Sequence, residues 1–492
     1  MSRATELLSR HALLWIIAVG ALLRFSTIGI QDFWLDEIVT VQEIGQGPID
    51  ILRQVNAADS NPAVYPLLAG GWERVFGSGE WGVRSLTALA GTLAIPFVYG
   101  AATTLASRRA GLIAAALTAT NPLLVWYSGE ARNYSLLVCF SALAFFCFAR
   151  ALEEVRGQRW LWAWALASAV ALMTHYYAAM LIAPMALWLL WRRPGPRLDT
   201  VMGIGVIAVV GFALLPHVAA RYGGTDWIDD IDLTERILQL PEHFLVGFWS
   251  PWEPLPLVVV VVALAVAIYA AFRAEPRSAR AIAIAGSVVL APLVVLLIDA
   301  FAGDDYIITR YLLELWVPFA VALGAALGAV AIGRLGTITA IGLCVLGAGL
   351  VIWTAMTAET QRPGYAELAS AIGPSDTERL IVSQTSFSYP LTHYLDGTAI
   401  ATEPELKTDE LVVVAPRVTE DYSVGDCWWI LTCGGTDHDP VPAFVPPPEF
   451  ELSSHGSTED FDYAVFNADR PTVVERPFEF PVVARVFVQP AS

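Results

Sequence analysis

Residues 12–37 read ALLWIIAVGALLRFSTIGIQDFWLDE: nineteen residues with a single charge, Arg24, then seven that end on an acidic pair, Asp36-Glu37. A run of that length and apolarity crosses the hydrocarbon of a bilayer as one helix. It is too long for the apolar core of a signal peptide, no clear A-x-A site follows, and the acids come straight after it. It is therefore expected to stay in place as a first membrane helix. Working outward, runs of the same kind start near residues 86, 110, 134, 160, 178, 199, 254, 281, 311 and 335. Together they predict a mainly α, polytopic membrane protein of about eleven transmembrane helices. The two runs on either side of Thr174-His175-Tyr176-Tyr177 require one long stretch to be split by a very short turn.

The composition agrees. The 492 residues are 56% hydrophobic and only 15% charged, well below the charged share of a soluble domain. Charge is also segregated. From Glu359 onward there are 22 Asp/Glu against 7 Arg/Lys, which is −15 of the whole-chain −18. Two domains follow: residues 1–357, multi-pass and apolar, and residues 358–492, soluble and acidic. Such a balance offers no basic face and argues against a nucleic-acid partner. The chain has one lysine, Lys407, which fits either a salt-loving source or a biased genome. Cys139, Cys147 and Cys344 lie in apolar runs as expected of small core residues. Cys427 and Cys433 lie in the acidic part and are left open between a disulfide and two free thiols.

Arginine placement sets a topology. Arg3 and Arg10, Arg108-Arg109, Arg156 and Arg159, Arg192-Arg193 with Arg197, Arg273 with Arg277 and Arg280, and Arg334 all fall in alternate connections. The positive-inside rule then puts the N-terminus in the cytoplasm and, with an odd number of helices, the tail outside. The inner connections are short. Two outer ones are long: residues 31–85, with Asp36, Glu37 and Asp59, and residues 220–253, with Asp226, Asp229, Asp230, Asp232 and Glu235. Both mix apolar and polar residues at helical spacing, as in Ile228–Leu240, and predict amphipathic helices lying on the membrane. The tail predicts a short helix at Ala366–Ile372 after Arg362-Pro363-Gly364-Tyr365. Strands are expected at Leu380–Ser383, Leu411–Val414, Trp428–Leu431, Tyr463–Phe466 and Val482–Val488. Gly434-Gly435 and Pro446-Pro447-Pro448 mark loops between them. A small extracytoplasmic α/β domain with no phosphate loop and no nucleophile motif is the reading.

Four stretches on the outer connections carry the chemistry. Asp36-Glu37 follows Phe33-Trp34-Leu35. Asp59-Ser60-Asn61-Pro62-Ala63-Val64-Tyr65 leads into the next helix. Phe76-Gly77-Ser78-Gly79-Glu80 comes next, with Arg84-Ser85 after it. Trp126-Tyr127-Ser128-Gly129-Glu130-Ala131-Arg132-Asn133-Tyr134-Ser135 is a short connection between two apolar runs. In that order and spacing they resemble the GT-C glycosyltransferases that use polyprenyl-phosphate sugars, in the branch of the protein O-mannosyltransferases and the aminoarabinose transferase of lipid A. Thr174-His175-Tyr176-Tyr177 and Arg310-Tyr311-Leu312-Leu313 are weaker echoes. The likeness covers residues 1–330. Asn61 stands where that family usually has His, Ala63 where it has a second Pro, and Gly129 where Gln is common. A metal- or phosphate-binding role of the His is therefore in question here.

The resemblance implies transfer of a sugar, commonly mannose, from a polyprenyl- or dolichyl-phosphate donor to an extracytoplasmic hydroxyl on a protein, glycan or lipid. The first acid of the pair, Asp36, is then the base; the other reading is a helix cap. Glu37 either shapes the pKa of Asp36 or pairs with an arginine. Asp59 either binds a divalent ion or the acceptor, or caps a helix before Pro62. Asp36 and Asp59 are the metal candidates, and no cofactor beyond a possible divalent ion is called for. Arg132 holds donor phosphate, or pairs with Glu130, or both. Arg310 is a second phosphate candidate, or pairs with Asp304-Asp305. His175 with its two tyrosines lines the lipid's way in or anchors the interface. Tyr65, Asn61 and Tyr134 are supporting residues. Asn133-Tyr134-Ser135 is formally a glycosylation sequon but sits too near a helix to be a good acceptor.

The chemistry supports this independently. Sugar transfer from a lipid phosphate needs a base for the acceptor proton and fixed positive charge for the departing phosphate. A carboxylate at the bilayer rim suits the first and a forked guanidinium the second. The rival class is a transporter or flippase of lipid-linked sugars, which would place ionisable groups near the bilayer middle. Only Arg24 and Asp299 lie inside apolar runs, both near helix ends. A receptor or scaffold would leave the first-loop acids unexplained.

Overall fold

The computed structural model describes residues 11–57, 62–154, 158–220, 228, 231–252, 254–302, 306–375, 379–383, 388–395, 398–401, 405–416, 446–475 and 483–486. Asp59, Asn61, Asp226, Asp229, Asp230, Asp304, Asp305, Cys427, Cys433, Gly434-Gly435 and the expected strand Trp428–Leu431 lie outside them. The chain forms two compact units. One is Met1–Ile30 with Glu43–Thr360; the other is Gln31–Gln42 with Gln361–Ser492. The segment that carries Asp36 and Glu37 thus belongs to the second unit.

The first unit is a helical bundle, and it makes the chain a multi-pass membrane protein. Among the described residues seven helices are long and apolar enough to cross a bilayer: Glu80–Leu105, Tyr134–Glu153, Arg197–His217, Pro254–Arg273, Pro276–Ala302, Thr309–Leu327 and Val330–Met356. The pair Arg108–Thr120 and Pro122–Ser128, bent by 55°, makes an eighth. Ala12–Phe25 and Ala178–Arg192 are shorter apolar helices. Gln158–Leu172 is shorter still than a full span. Every expected run therefore holds a helix, and length is what separates the clear spans from the rest. Two of the short ones flank the turn at 173–177, where the sequence required one stretch to be split.

The bundle has an inside and an outside. The apolar windows of Tyr134–Glu153 and Thr309–Leu327 are 78% buried, whereas that of Arg197–His217 is 17% buried. The first two are the centre; the third offers Val209 and Phe212 to the surroundings. Small residues let the central helices close up. A Cβ on Gly324 would sit 2.7 Å from the Ala110 carbonyl oxygen and 2.9 Å from the Ala114 Cβ. Only glycine permits that approach.

Helix boundaries follow local chemistry. Ser107 accepts from the Ala110 amide at 3.2 Å and starts Arg108–Thr120. Asn121 does the same for Leu124 at 2.9 Å, with Pro122 at the first helical position. That proline cannot continue the preceding ladder, and Asn121 is extended (φ −68, ψ 121), so the axis turns there. Asp232 caps Leu233–Leu245 by accepting from the Glu235 amide at 3.1 Å. The amphipathic helix expected over Ile228–Leu240 is shifted by this cap: it starts at Leu233. It buries Arg236, His243, Phe244 and Leu245 and exposes Leu238. The first long connection likewise folds as Leu35–Ile44, Pro48–Ala57 and Val64–Phe76.

The second unit holds the six-stranded sheet. The strands are β1 (Arg379–Ser383), β2 (Thr398–Ala401), β3 (Glu405–Pro416), β4 (Glu451–Ser457), β5 (Phe461–Glu475) and β6 (Val483–Val486), in the order β2-β6-β1-β3-β5-β4. β1 and β3 pair in parallel with Ile381 opposite Val412, and the other pairings are antiparallel. Side chains alternate between faces. Ile381, Val412 and Val414 pack with Tyr365, Leu368 and Leu391 of the helices Tyr365–Ile372 and Ser388–Tyr394. Leu380, Val382 and Leu411 pack on the other side with Phe450 and Val474. The strands β2 and β4 and the helix Ser388–Tyr394 were not among the expected elements. β4 exposes almost every side chain, so no alternation marks it.

Substituting Gly324 by Val should lower the thermal unfolding temperature in detergent, with a cost of about 1–3 kcal/mol for overpacking. Gly342→Ala is the control, since nothing lies within 4 Å of its added Cβ; it should unfold like the wild type.

Candidate functional site

The acidic pair sits in the first turn of Leu35–Ile44, where helix amides favour negative charge. The Trp34 carbonyl accepts from the Glu37 and Ile38 amides at 2.9 and 3.0 Å, and the Glu37 carboxylate reaches back to the Trp34 amide at 3.4 Å. The two acids differ in setting. Asp36 is half-buried. Glu37 is fully buried, and Arg362 donates to its Oε2 at 2.5 Å from a side chain only 2% exposed. The same guanidinium lies over the Trp34 ring at 5.4 Å. Of the two readings left for Glu37, arginine pairing is the one with a contact.

Around this pair the segment 31–42 is held by the tail. The Phe33 amide donates to the Tyr394 hydroxyl at 2.7 Å, and the Ala366 amide donates to Asp32 Oδ2 at 2.7 Å. Phe33 also meets His393 edge-on at 5.3 Å. Asp460 accepts from the Gly364 amide at 2.8 Å, beside Arg362-Pro363. Burial next to Asp460 and Asp32 pushes the Tyr365 hydroxyl far up, so it stays protonated.

The bundle unit holds the second group. Residues 129–133 form a tight turn between Pro122–Ser128 and Tyr134–Glu153, closed by the Arg132 amide on the Glu130 carbonyl at 2.8 Å. Asn133 donates to the Thr174 carbonyl at 2.8 Å, which ties this turn to the break at 173–177. Glu130 is buried and Arg132 half-buried. A carboxylate that sequence reasoning did not single out, Glu43, lies within electrostatic reach of Arg132. Burial pushes its carboxyl up, and the arginine's charge opposes that. The signal was present in principle: Asp36, Thr40 and Glu43 are spaced i, i+4, i+7 on one helix.

Aromatic rings connect the turn to Arg310. Tyr127 meets Tyr134 at 4.9 Å, Tyr134 meets His175 at 6.1 Å, and His175 meets Tyr311 at 5.9 Å. Tyr177 stacks on Tyr311 at 4.7 Å, and Arg310 lies over that ring at 5.3 Å. Burial, with Tyr311, Tyr306 and Glu314 nearby, drives the Tyr177 hydroxyl up against the opposing pull of Arg310. The structure therefore brings Tyr134, His175 and Arg310 together with the turn of Arg132. Tyr65 is buried at the start of Val64–Phe76. Two further residues fix the Arg310 strand of chain. Arg236 donates to the Ile307 carbonyl at 2.8 Å, and His243 Nδ1 bonds Thr309 Oγ1 at 2.7 Å. Burial brings the His243 pKa down to about 4, so its ring is neutral at ordinary pH. Neither residue belongs to any motif.

Among the described residues no group of three His, Cys, Asp or Glu is arranged to hold a metal ion. Cys139 and Cys147 are buried free thiols and Cys344 a half-buried one.

Removing the Arg362 guanidinium leaves Glu37 buried without its ion-pair partner, a change of about 3–5 kcal/mol for a pair of this kind. Arg362→Ala should therefore lower the unfolding temperature clearly. Replacing both members, Glu37→Gln with Arg362→Met, should recover much of the loss in the same melting assay.

Residues 60–219 match the family model described as Dolichyl-phosphate-mannose-protein mannosyltransferase. No curated protein sequence matches the chain. Among solved structures, ArnT from Cupriavidus metallidurans bound to undecaprenyl phosphate is similar over 92% of this chain and 97% of that one, at 14% identity and a TM-score of 0.57. ArnT from the same organism in the apo state aligns over 73% of this chain and 66% of that one, at 16% identity and a TM-score of 0.49. The Archaeoglobus fulgidus oligosaccharyltransferase aligns over 73% and 54%, at 13% identity and a TM-score of 0.44. The helical bundle and the small sheet unit share the fold of that ArnT structure over nearly the whole chain, and residues 60–219 carry the pattern of the matched family model.

Proposed function

We propose that the enzyme moves a hexose, mannose in the first instance, from a polyprenyl- or dolichyl-phosphate donor to a hydroxyl of an extracytoplasmic protein, glycan or lipid, with inversion. The observation that supports the reading is the aromatic chain Tyr134, His175 and Tyr311, which links the turn that carries Arg132 to the segment that carries Arg310. Forked cations beside buried rings suit a lipid phosphate. The matched family model, by its description, concerns a dolichyl-phosphate mannose donor. The similar ArnT structure holds undecaprenyl phosphate.

Asp36 takes the acceptor's hydroxyl proton as the oxygen attacks the anomeric carbon. The bond from that carbon to the phosphate oxygen breaks, the glycosidic bond forms on the opposite face, and the polyprenyl phosphate leaves on Arg132 and Arg310. Of the two acids Asp36 suits the base because the resemblance favours the first acid of the pair, and it lies half-buried in the first turn of a helix. In this reading Glu37 and Arg362 set the position of the base. Tyr65, Glu130, Tyr134 and His175 line or support the site. Asp59 and Asn61 are further supporting candidates on the strength of the sequence, with Asp59 and Asp36 the candidates for any divalent ion. The alternating arginines support a cytoplasmic N-terminus and an extracytoplasmic acidic tail, residues 358–492, serving as an accessory domain.

The test uses the purified full chain with polyprenyl-phosphate mannose and a mixture of cell-envelope acceptors. Loss of a general base costs roughly 100- to 10,000-fold in turnover. Asp36→Asn should fall in that range while keeping the wild-type melting curve and donor binding. Near-normal turnover by this variant would remove Asp36 from the mechanism, and translocation of donor without sugar release would favour a flippase.

A further inference from the structure

Arg24 is a charge in an apolar helix that the reaction above leaves without a task. Its side chain is fully buried. It donates to Gly20 O at 3.0 Å, Ala119 O at 2.9 Å, Thr118 O at 3.0 Å and Ser128 Oγ at 3.2 Å. All four acceptors are neutral. A buried cation without a carboxylate is costly and survives where it does something.

Two of those acceptors explain themselves. In a continued helix the Thr118 carbonyl would accept from the amide of residue 122, but that residue is Pro122 and has no N–H. The bend therefore leaves carbonyls at the end of Arg108–Thr120 without donors, at the negative pole of the helix. Arg24 supplies both the donors and the positive charge.

The fourth acceptor points to function. Ser128 is the last residue before the turn of Glu130 and Arg132, and four helices meet on it. Arg24 reaches it from Ala12–Phe25. Thr87 of Glu80–Leu105 donates to its carbonyl at 2.9 Å. Its own hydroxyl donates to the Leu124 carbonyl at 2.6 Å. Ser135 of Tyr134–Glu153 donates to its Oγ at 3.3 Å and to the Tyr127 carbonyl at 3.0 Å. The fit leaves no slack: a Cβ on Gly91 would lie 2.3 Å from Ser128 Oγ and 2.9 Å from Arg24 Nε. The two flanks of the turn, Ser128 and Ser135, thus meet at one hydroxyl that Arg24 also holds.

We infer that Arg24 and Ser128 are positioning residues that aim Arg132 at the donor phosphate by clamping the two ends of its turn. The inference rests on the reading of Arg132 as a phosphate ligand. It predicts coupling, because a clamp has nothing to aim once Arg132 is gone.

The test is a double-substitution cycle on the full chain with polyprenyl-phosphate mannose, read as donor KM and kcat beside a melting curve. Ser128→Ala removes one hydroxyl and should raise donor KM about tenfold, inside the range a slightly misplaced contact brings. Arg24→Met should do the same or more; if it fails to fold, Ser128→Ala carries the test alone. In an Arg132→Ala background neither should raise KM further. An unchanged KM in Ser128→Ala, or a loss that multiplies with that of Arg132→Ala, overturns the clamp while leaving Arg132 a phosphate ligand. An unchanged donor KM in Arg132→Ala alone overturns the phosphate reading and the clamp with it.

Discussion

A backbone carbonyl inside an apolar bundle has to find a donor, and Pro122 removes the one that Thr118 would have used. Much of the bundle unit's chemistry is arranged around that break. The bent pair Arg108–Thr120 and Pro122–Ser128 turns by 55°. Its loose carbonyls are met by Arg24, its second half starts from Asn121, and the same Asn121 side chain donates to the Phe244 carbonyl at 2.7 Å. Trp316 adds a bond to Thr118 Oγ1 at 3.1 Å. A helix that ran straight would satisfy the Thr118 and Ala119 carbonyls itself and need no donor from Arg24. It would also carry residues 129–133 elsewhere.

In the second unit the organising contact is the buried ion pair of Glu37 and Arg362. A pair of this kind is weak evidence for stability, since desolvation offsets most of the attraction. Its effect here is on register. It fastens the first turn of Leu35–Ile44 to the start of the tail, and Tyr394 and Asp32 add hydrogen bonds on either side. Asp36 is left half-buried next to a fully engaged neighbour. Two adjacent carboxylates thus differ in burial, Glu37 fully and Asp36 half.

The aromatic chain from Tyr127 to Tyr177 does for the bundle unit what the ion pair does for the other. Rings at 4.7 to 6.1 Å bridge three stretches that are separate in sequence: the turn of Arg132, the break at 173–177 and the segment of Arg310. Arg236 and His243, seven residues apart on one amphipathic helix, grip the chain just before Arg310. Stacked rings tolerate an apolar surrounding and still present hydroxyls, which suits a site at the boundary between lipid and water.

What the residues alone decided was whatever depends on neighbours in sequence. Each apolar run named from the sequence holds a helix, and the turn at Thr174–Tyr177 fell where one run had to be split. Short strand-like runs marked parts of β1, β3, β5 and β6, and acidity set the tail apart. The motifs named Asp36, Glu37, Arg132 and Arg310 because their residue types suit the chemistry. Helix lengths were less legible: caps such as Asp232 and breaks such as Pro122 move ends by several residues. β4 was hidden because its side chains face outward with no period. The partners were decided only by tertiary structure. Arg362 meets Glu37 across 325 positions and Arg24 meets Ser128 across 104. No local period encodes contacts of that separation. They arise when packing removes water from two distant groups at once and leaves each the other as its nearest opposite charge or hydrogen-bond partner.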